Sequence, residues 1–247
     1  MTTSLDALTA TGPDGLYVSL LGTFRLSVGA VPVTLPVGSQ HLLAFLALRE
    51  RAVTRSAIAG TLWPEVSEAH ALASLRSALS RLDEVARRAV HSRSVELALA
   101  PTVAVDIRAA RALAHRLLDL APLRDGDLSP EAISALSGDL LPDWYDDWAV
   151  LEAEEWRQLR LHALESLGSR LLHNGRFGDA AGAALAAMRT EPLRESAQVL
   201  LIRVHLAEGN QSEALAAFDR YATLLAAELG LSPTPLLRSL VRPLRPR

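Results

Sequence analysis

The 247-residue chain contains no lysine and no cysteine, so all 25 of its basic side chains other than histidine are arginines. Without lysine, the chain cannot form the phosphate contact of a P-loop or a lysine Schiff base. Without cysteine, it has no thiol nucleophile, no disulfide and no cysteine ligand for zinc. These absences exclude several large classes of enzyme and metalloprotein.

Aromatic residues and long apolar runs are also scarce. Aromatic residues make up 4% of the chain, whereas leucine and alanine together exceed a third of it. This composition favours helix, and the 49% hydrophobic content is ordinary for a globular protein. Short apolar runs interrupted by charges predict no membrane span, and residues 1–15 lack the features of a signal peptide. We therefore expect a cytoplasmic protein.

The N-terminal part alternates short strand and helix patterns. Residues 16–28 alternate apolar and polar side chains, which predicts a strand or a bent pair with Gly22 at a bulge, and a second strand follows at 31–35. Ser39 is placed to cap a helix over 40–50. Thr54 is placed to cap another, which Trp63-Pro64 ends.

A third, longer helix is predicted over residues 68–89. On a helical wheel its apolar stripe contains Leu72, Leu75, Leu79, Leu82 and Ala86. The opposite face contains His70, Ser74, Ser77, Arg81, Glu84 and Arg88, with Arg76, Ser80 and Arg87 on its flank. Strand patterns follow at 94–99 and 103–105. The order of strands, three helices and strands is the plan of a winged helix with an N-terminal sheet.

From residue 106 onward the pattern is helical. The predicted helices cover residues 106–118, 129–136, 146–173, 178–189, 194–208 and 212–229. Gly175-Arg176 and Gly209-Asn210 stand 34 residues apart, as do Asp179-Ala180 and Glu213-Ala214. This period is that of tetratricopeptide (TPR) helix–turn–helix units.

Several motifs in order resemble the Streptomyces antibiotic regulatory protein (SARP) family of transcriptional activators. They are LLGTFRL (20–26), HLLAFLAL (41–48), TLWPE (61–65), LRSALSRL (75–82), VDIRAA (105–110), SGDLLPDWYDDW (137–148), EPLRESAQVLLIRVHLAEGNQSEALAAFDRY (191–221) and LAAELGLSPTPLLRSL (225–240). The resemblance implies a mainly α fold with a small β component. An OmpR-type winged helix over 16–105 precedes an all-α, TPR-like bacterial transcriptional activation domain over 106–241, with tails at 1–15 and 242–247.

The resemblance also implies a function. Such a protein binds promoter DNA at direct repeats as a side-by-side dimer and recruits RNA polymerase holoenzyme through the sigma factor and the alpha subunit. Its targets are typically specialised-metabolite (antibiotic) genes, and it needs no cofactor. We therefore expect a DNA-binding transcriptional activator rather than an enzyme.

Candidate contact residues follow from matching the family to the wheel. Ser74, Ser77 and Arg81 match the positions that read bases. The phosphate contacts are assigned to Thr54, Arg76, Arg87, Arg88 and Arg93. The loop before the long helix is where related winged helices touch polymerase, and it contains Pro64, Glu65, Val66 and Ser67.

The low net charge of the N-terminal part leaves an alternative function open. Residues 1–105 contain 9 arginines and 8 acids, a net charge of only +1, whereas DNA-binding domains are usually more basic. The alternative is a TPR-like protein-interaction scaffold with weakened or lost DNA binding. Trp144, Trp148 and Trp156 favour packing over a ligand cage. The acids between Asp143 and Glu155 favour a solvated face, with some pairing to nearby arginines, over a metal site.

Overall fold

The structure, a computed structural model, describes residues 15–119 and 122–244. The chain packs into two compact units. The first contains residues 15–110 together with Gly138–Trp156, and the second contains Arg111–Ser137 together with residues 157–244. The segment Gly138–Trp156 thus packs with the N-terminal part of the chain, which the sequence pattern did not indicate. The domain limits of 16–105 and 106–241 stay a prediction.

The first unit combines two small sheets with short helices. The elements are β1 (Leu16–Ser19), β2 (Arg25–Val28), β3 (Val31–Val33), α1 (Val37–Ala47), β4 (Val53–Thr54), α2 (Arg55–Leu62), α3 (Glu68–Ser80), α4 (Glu84–Arg87), β5 (Val90–Ser92), β6 (Glu96–Leu99) and β7 (Ala104–Val105). A four-stranded sheet has the order β3-β2-β1-β7, and a three-stranded sheet has the order β4-β6-β5. All neighbouring strands are antiparallel except the parallel pair β1 and β7. The order of these elements confirms the predicted winged helix.

Two details near the N-terminus differ from the sequence prediction. Gly22 lies in the connection between β1 and β2 with φ of 90°, so it serves a turn and not a bulge. Ser39 does not cap α1, which begins at Val37. Its buried hydroxyl instead donates to the Ala78 carbonyl at 2.8 Å, because a buried polar group needs a partner. The predicted cap at Thr54 is confirmed: its Oγ1 accepts the Ala57 N–H at 3.3 Å.

The third helix is shorter than predicted. α3 ends at Ser80, and the Asp83 carboxylate starts α4 by accepting the Ala86 N–H at 2.7 Å. The Arg87 guanidinium donates to the carbonyls of Ser80 and Leu82, near the C-terminus of α3, at 3.4 and 3.1 Å. The Asp83 cap therefore divides the helix predicted over residues 68–89 into α3 and α4.

Asp106 joins the beginning of α5 (Asp106–Leu118) to the first strand. Its carboxylate accepts the Ser19 hydroxyl at 2.7 Å and the N–H groups of Leu20 and Leu21 at 2.9 and 3.0 Å. Burial, with a smaller contribution from this carboxylate, raises the pKa of the nearby Tyr17 to about 12. These charge-assisted hydrogen bonds fix β1 at the centre of its sheet.

The segment Gly138–Trp156 packs on the winged helix through aromatic side chains. Trp148 contacts Phe45 edge-on, with ring centroids 5.5 Å apart, and the Trp156 indole N–H donates to the Gly138 carbonyl at 2.9 Å. Trp144 and Trp148 are four residues apart, which would place them on one face of a continuous helix, but the helix begins at Asp147, after Trp144. Trp144 and Trp148 nevertheless contact each other at 5.9 Å, which confirms packing as their role.

The second unit is helical. The helices after α5 are α6 (Pro130–Ser137), α7 (Asp147–His173), α8 (Phe177–Thr190), α9 (Glu195–Ala207), α10 (Gln211–Leu229) and α11 (Pro235–Val241). The helices α5 and α7 begin in the first unit, and only their C-terminal parts belong to the second. The sequence analysis missed α11, although Thr234 followed by Pro235 is a helix-start signal. The Thr234 hydroxyl accepts the Leu237 N–H at 3.4 Å.

The 34-residue repeat is visible in the backbone. Gly175 and Gly209 both have positive φ, 71° and 82°, at the turns after α7 and α9. Arg176 N–H bonds to the Leu171 carbonyl, and 34 residues later Asn210 N–H bonds to that of His205. Both turns have the Schellman pattern that glycine favours. The expected TPR-like array is therefore confirmed.

Across the described residues, no helix has the combination of length and apolarity that a bilayer span requires. In the same part of the chain, no three histidine or acidic side chains are grouped closely enough to hold a metal ion.

Candidate nucleic-acid interface

The helix α3 has one buried stripe and one exposed face. The stripe consists of Ala71, Leu75 and Ala78, each at most 5% exposed, and continues to Leu82. It is rotated from the predicted stripe, because Leu72 and Leu79 are only half-buried. The face opposite the stripe, which we call the α3 outer face, consists of Ala69, Ala73, Arg76, Ser77 and Ser80.

This rotation changes where the three expected base-reading residues lie. Ser77 remains on the α3 outer face, although it is half-buried. Ser74 is half-buried beside it, and the exposed Arg81 is the residue after the helix. Ser74, Ser77 and Arg81 together border a depression that Trp63 also lines. Arg76, expected on the flank, instead lies on the outer face, to one side of Ala73 and Ser80 at its centre.

The arginines around α3 differ in what they contact. The side chains of Arg76 and Arg81 are exposed and make no hydrogen bond or ion pair with any other residue that the structure describes. Arg87 is partly occupied, because it donates to the carbonyls near the end of α3. Arg88 is exposed and is the residue after the short helix α4. Arg76 and Arg81 are therefore the best placed of these cations to bind a ligand.

The wing is the hairpin of β5 and β6. The Arg93 N–H donates to the Glu96 carbonyl at 3.0 Å and closes the turn, while its exposed guanidinium lies 3.4 Å from His91 Nε2. Arg55 donates to the Ser92 hydroxyl at 2.8 Å and so fixes the start of α2 to the wing. The sequence analysis missed Arg55, although its position after the Thr54 cap marked it as the first residue of a helix.

The start of α2 and the loop before α3 are both exposed. The Thr54 hydroxyl already satisfies one N–H group of α2, and Ser56 and Ala57 beside it are accessible. Residues 64–67 are all exposed, with Val66 at 48%. At the beginning of α3, the Ser67 hydroxyl forms a hydrogen bond of 2.8 Å with His70 Nδ1.

Acidic side chains flank α3 at both ends. Glu65 and Glu68 lie near its beginning, and Asp83 and Glu84 follow its end, all of them exposed. Between these acids, positive charge is limited to Arg76 and Arg81. The interface therefore offers a few well-placed guanidinium groups and not a broad basic surface. Guanidinium groups hold a guanine edge or a phosphate through two parallel hydrogen bonds.

Comparison with known proteins shows the family to which the chain belongs. Residues 105–245 match the family described as "Bacterial transcriptional activator domain". The chain is also 32% identical, over 224 residues and 84% of its length, to "Regulatory protein AfsR" of Streptomyces coelicolor. The chain belongs to the bacterial transcriptional activator domain family, in its SARP type. The resemblance seen in the sequence motifs is thereby confirmed.

Two further comparisons describe this SARP-type chain. It is 30% identical over 248 residues to "Regulatory protein AfsR" of Streptomyces griseus. It spans only 22% and 24% of the length of the Streptomyces coelicolor and Streptomyces griseus proteins. A solved structure, "Mycobacterium tuberculosis EmbR in complex with low affinity phosphopeptide", shares the fold, with a TM-score of 0.64 over 94% of this chain and 66% of that one, at 24% identity. The family to which this chain belongs is a type of transcriptional regulator that is generally non-enzymatic.

Proposed function

We propose that this SARP-type regulator is a sequence-specific DNA-binding activator of transcription. It binds direct repeats in promoters as side-by-side protomers and recruits RNA polymerase holoenzyme through the sigma factor and the alpha subunit. Its targets are specialised-metabolite (antibiotic) genes. The observation that supports this proposal best is the α3 outer face, opposite a buried stripe, where the exposed Arg76 side chain makes no hydrogen bond or ion pair with another residue that the structure describes.

The chemistry of the α3 outer face suits the major groove. The Arg76 guanidinium can donate two hydrogen bonds to the O6 and N7 atoms of guanine. The Ala73 methyl group suits contact with a thymine methyl, and Ser77 and Ser80 can donate or accept. We therefore assign Arg76 to base reading, where the sequence alone suggested a phosphate contact.

Phosphate contacts surround this helix on three elements. Arg81 follows α3, Arg93 lies on the wing, and Thr54 begins α2, where N–H groups and the helix dipole favour an anion. Arg88, the residue after α4, adds a further cation. With about three phosphates neutralised by these arginines, the logarithm of the binding constant falls with the logarithm of salt concentration with a slope of about −2.7. Such a small slope favours cooperative binding of adjacent protomers over tight binding by one.

The exposed loop of residues 64–67 is proposed as one polymerase contact. Its Pro64, Glu65 and Val66 side chains are accessible, while the Ser67 hydroxyl is occupied by His70. We therefore expect Glu65 and Val66 to contribute more to this contact than the Ser67 hydroxyl does.

A gel shift and footprint on DNA upstream of the neighbouring gene cluster test the DNA-binding part. At low salt, the wild-type protein protects repeated sites, and Arg81→Ala lowers both the affinity and the output of a promoter reporter. Arg189→Ala removes an exposed arginine from α8 and serves as the matched control. Absence of any shift at low salt, together with an unchanged reporter for Arg81→Ala, contradicts the proposal.

The alternative function is a protein-interaction scaffold. It is supported by a largely apolar hollow between α8, α9 and α10, which Met188, Leu201, Tyr221 and Leu224 line. In that case the helical array binds a protein partner and the winged helix contributes no DNA affinity. A protein that fails the gel shift but captures a defined partner, with the capture lost in Leu224→Ser, supports the scaffold.

A further inference from the structure

The segment Gly138–Trp156 exposes large apolar side chains on the first unit. Tyr145 is 85% exposed, Leu151 67% and Val150 49%. Val150 and Leu151 lie on α7 at helical spacing from the exposed Asp147 and Glu155, so these four residues share one stripe of the helix. We call this stripe, together with Tyr145, the acidic apolar face.

The exposure of this face does not result from loose packing of the segment. On the other side of the same helix, Trp148 is 6% exposed against Phe45, and Glu152 is 9% exposed in an ion pair with Arg49. The segment is therefore seated on the unit by buried contacts. Its apolar side chains face solvent because of the register of α7.

The charge of the segment narrows the choice of partner. Gly138–Trp156 contains seven acids and no base. Glu152 is neutralised by Arg49, and Asp146 lies 3.6 Å from His41, but Asp143, Asp147 and Glu155 are exposed. Such a surface repels DNA phosphates and complements a basic one. An isologous contact, in which two copies meet through this same face, would place these acids opposite one another, which disfavours such a pair as the occupant.

We propose that the acidic apolar face docks a basic, apolar surface of RNA polymerase holoenzyme. This inference rests on the proposed function and adds a second polymerase contact, distinct from residues 64–67. Apolar side chains on the partner cover Tyr145, Val150 and Leu151, and its flanking cations pair with Asp147 and Glu155. The core of the contact supplies affinity, and the acidic rim speeds association in a salt-dependent way.

The test measures binding of purified RNA polymerase holoenzyme to the full chain without DNA, alongside a gel shift. The double variant Val150→Ser/Leu151→Ser removes the apolar part of the face. Asp147→Asn/Glu155→Gln removes two charges but keeps the shape. Val31→Ser changes a valine that is 67% exposed in the same unit and lies on β3, outside the segment Gly138–Trp156, so it serves as the control.

We expect Val150→Ser/Leu151→Ser to weaken polymerase binding about tenfold or more, as loss of an interface centre does, with the gel shift unchanged. We expect Asp147→Asn/Glu155→Gln to weaken it less and to reduce its salt dependence, and Val31→Ser to bind like wild type. Wild-type binding by the serine double variant overturns the inference while leaving the proposed function intact. A dimer in solution that the serine variant abolishes also overturns it, because the occupant is then a second copy. Loss of the gel shift in the wild type contradicts the proposed function instead.

Discussion

The second unit and the surface around α3 in the first unit use the same cation in different ways. In the second unit, arginines are held by carboxylates: Arg116 pairs with Asp127 at 2.7 Å and Arg194 with Glu165 at 2.6 Å. In the first unit, Arg49 pairs with Glu152, but the side chains of Arg76 and Arg81 are exposed and make no hydrogen bond or ion pair with another described residue. Because the chain has no lysine, arginine must supply every permanent positive charge. The difference in pairing therefore separates arginines that stabilise the fold from those that are free to bind.

The largest effect we expect is from breaking a stabilising pair. Asp127 is 4% exposed and accepts hydrogen bonds from Arg116 Nε and Nη2 and from the Arg124 N–H. Asp127→Ala leaves the Arg116 guanidinium without its partner and lowers the free energy of unfolding by about 3 kcal/mol. Chemical denaturation measures this loss. A change below about 0.5 kcal/mol, typical of a neutral surface site, contradicts the structural role.

The same pair predicts a smaller loss of stability in acid. The hydrogen bond from Arg116 is the main cause that holds the pKa of the Asp127 carboxyl below its usual value. A depressed pKa means that the stabilisation is present above the unfolded pKa of about 3.9 and is lost as the pH falls through the folded value. Thermal unfolding below about pH 4 should show this loss, reduced in Asp127→Asn. If the wild type and Asp127→Asn lose the same stability as the pH falls, the prediction for Asp127 is wrong.

Arg76→Ala tests the other half of the comparison, the exposed arginines around α3. Loss of a two-bond contact to guanine removes about 1–3 kcal/mol of discrimination between the right and wrong base. Gel shifts on sites with single base substitutions measure this loss. Because Arg76 is exposed and unpaired, the free energy of unfolding changes by less than about 0.5 kcal/mol. A uniform loss of affinity for all sequences assigns Arg76 to phosphate.

The smallest effect belongs to the wing. Arg93→Ala removes one phosphate contact, weakens binding similarly for every sequence and reduces the steepness of the salt dependence by about 0.9. Titrations at several salt concentrations give this slope. An unchanged slope places Arg93 outside the DNA contact.

Local signals in the sequence predicted most of the helices. α5 was predicted at its observed limits, because Asp106 begins a clear amphipathic pattern and Asp119 follows its end. The 34-residue repeat also placed the array correctly, since its glycines occupy positions with positive φ. The Thr-Pro pair at 234–235 indicates the start of α11, but this helix was not predicted.

Tertiary contacts explain what the sequence did not predict. Ser39 has the character of a helix cap, but its hydroxyl bonds to the Ala78 carbonyl on another helix. The buried stripe of α3 contains Ala71 and Ala78 in place of Leu72 and Leu79, because close packing can select small residues over larger ones. This rotation of the stripe moves Arg76 from the flank onto the α3 outer face. No single-helix wheel contains that information.

Arginine-directed chemical modification tests the central claim most directly, since without lysine the reagent reports every permanently cationic side chain. An α-dicarbonyl reagent and mass spectrometry give the reactivity of each arginine in the free and the DNA-bound protein. We predict that Arg76 and Arg81 react readily when free and are protected several-fold by saturating promoter DNA. Arg116 and Arg194, held by carboxylates, react slowly in both states, and Arg189 reacts equally in both. Equal reactivity of Arg76 and Arg81 with and without bound DNA contradicts the account.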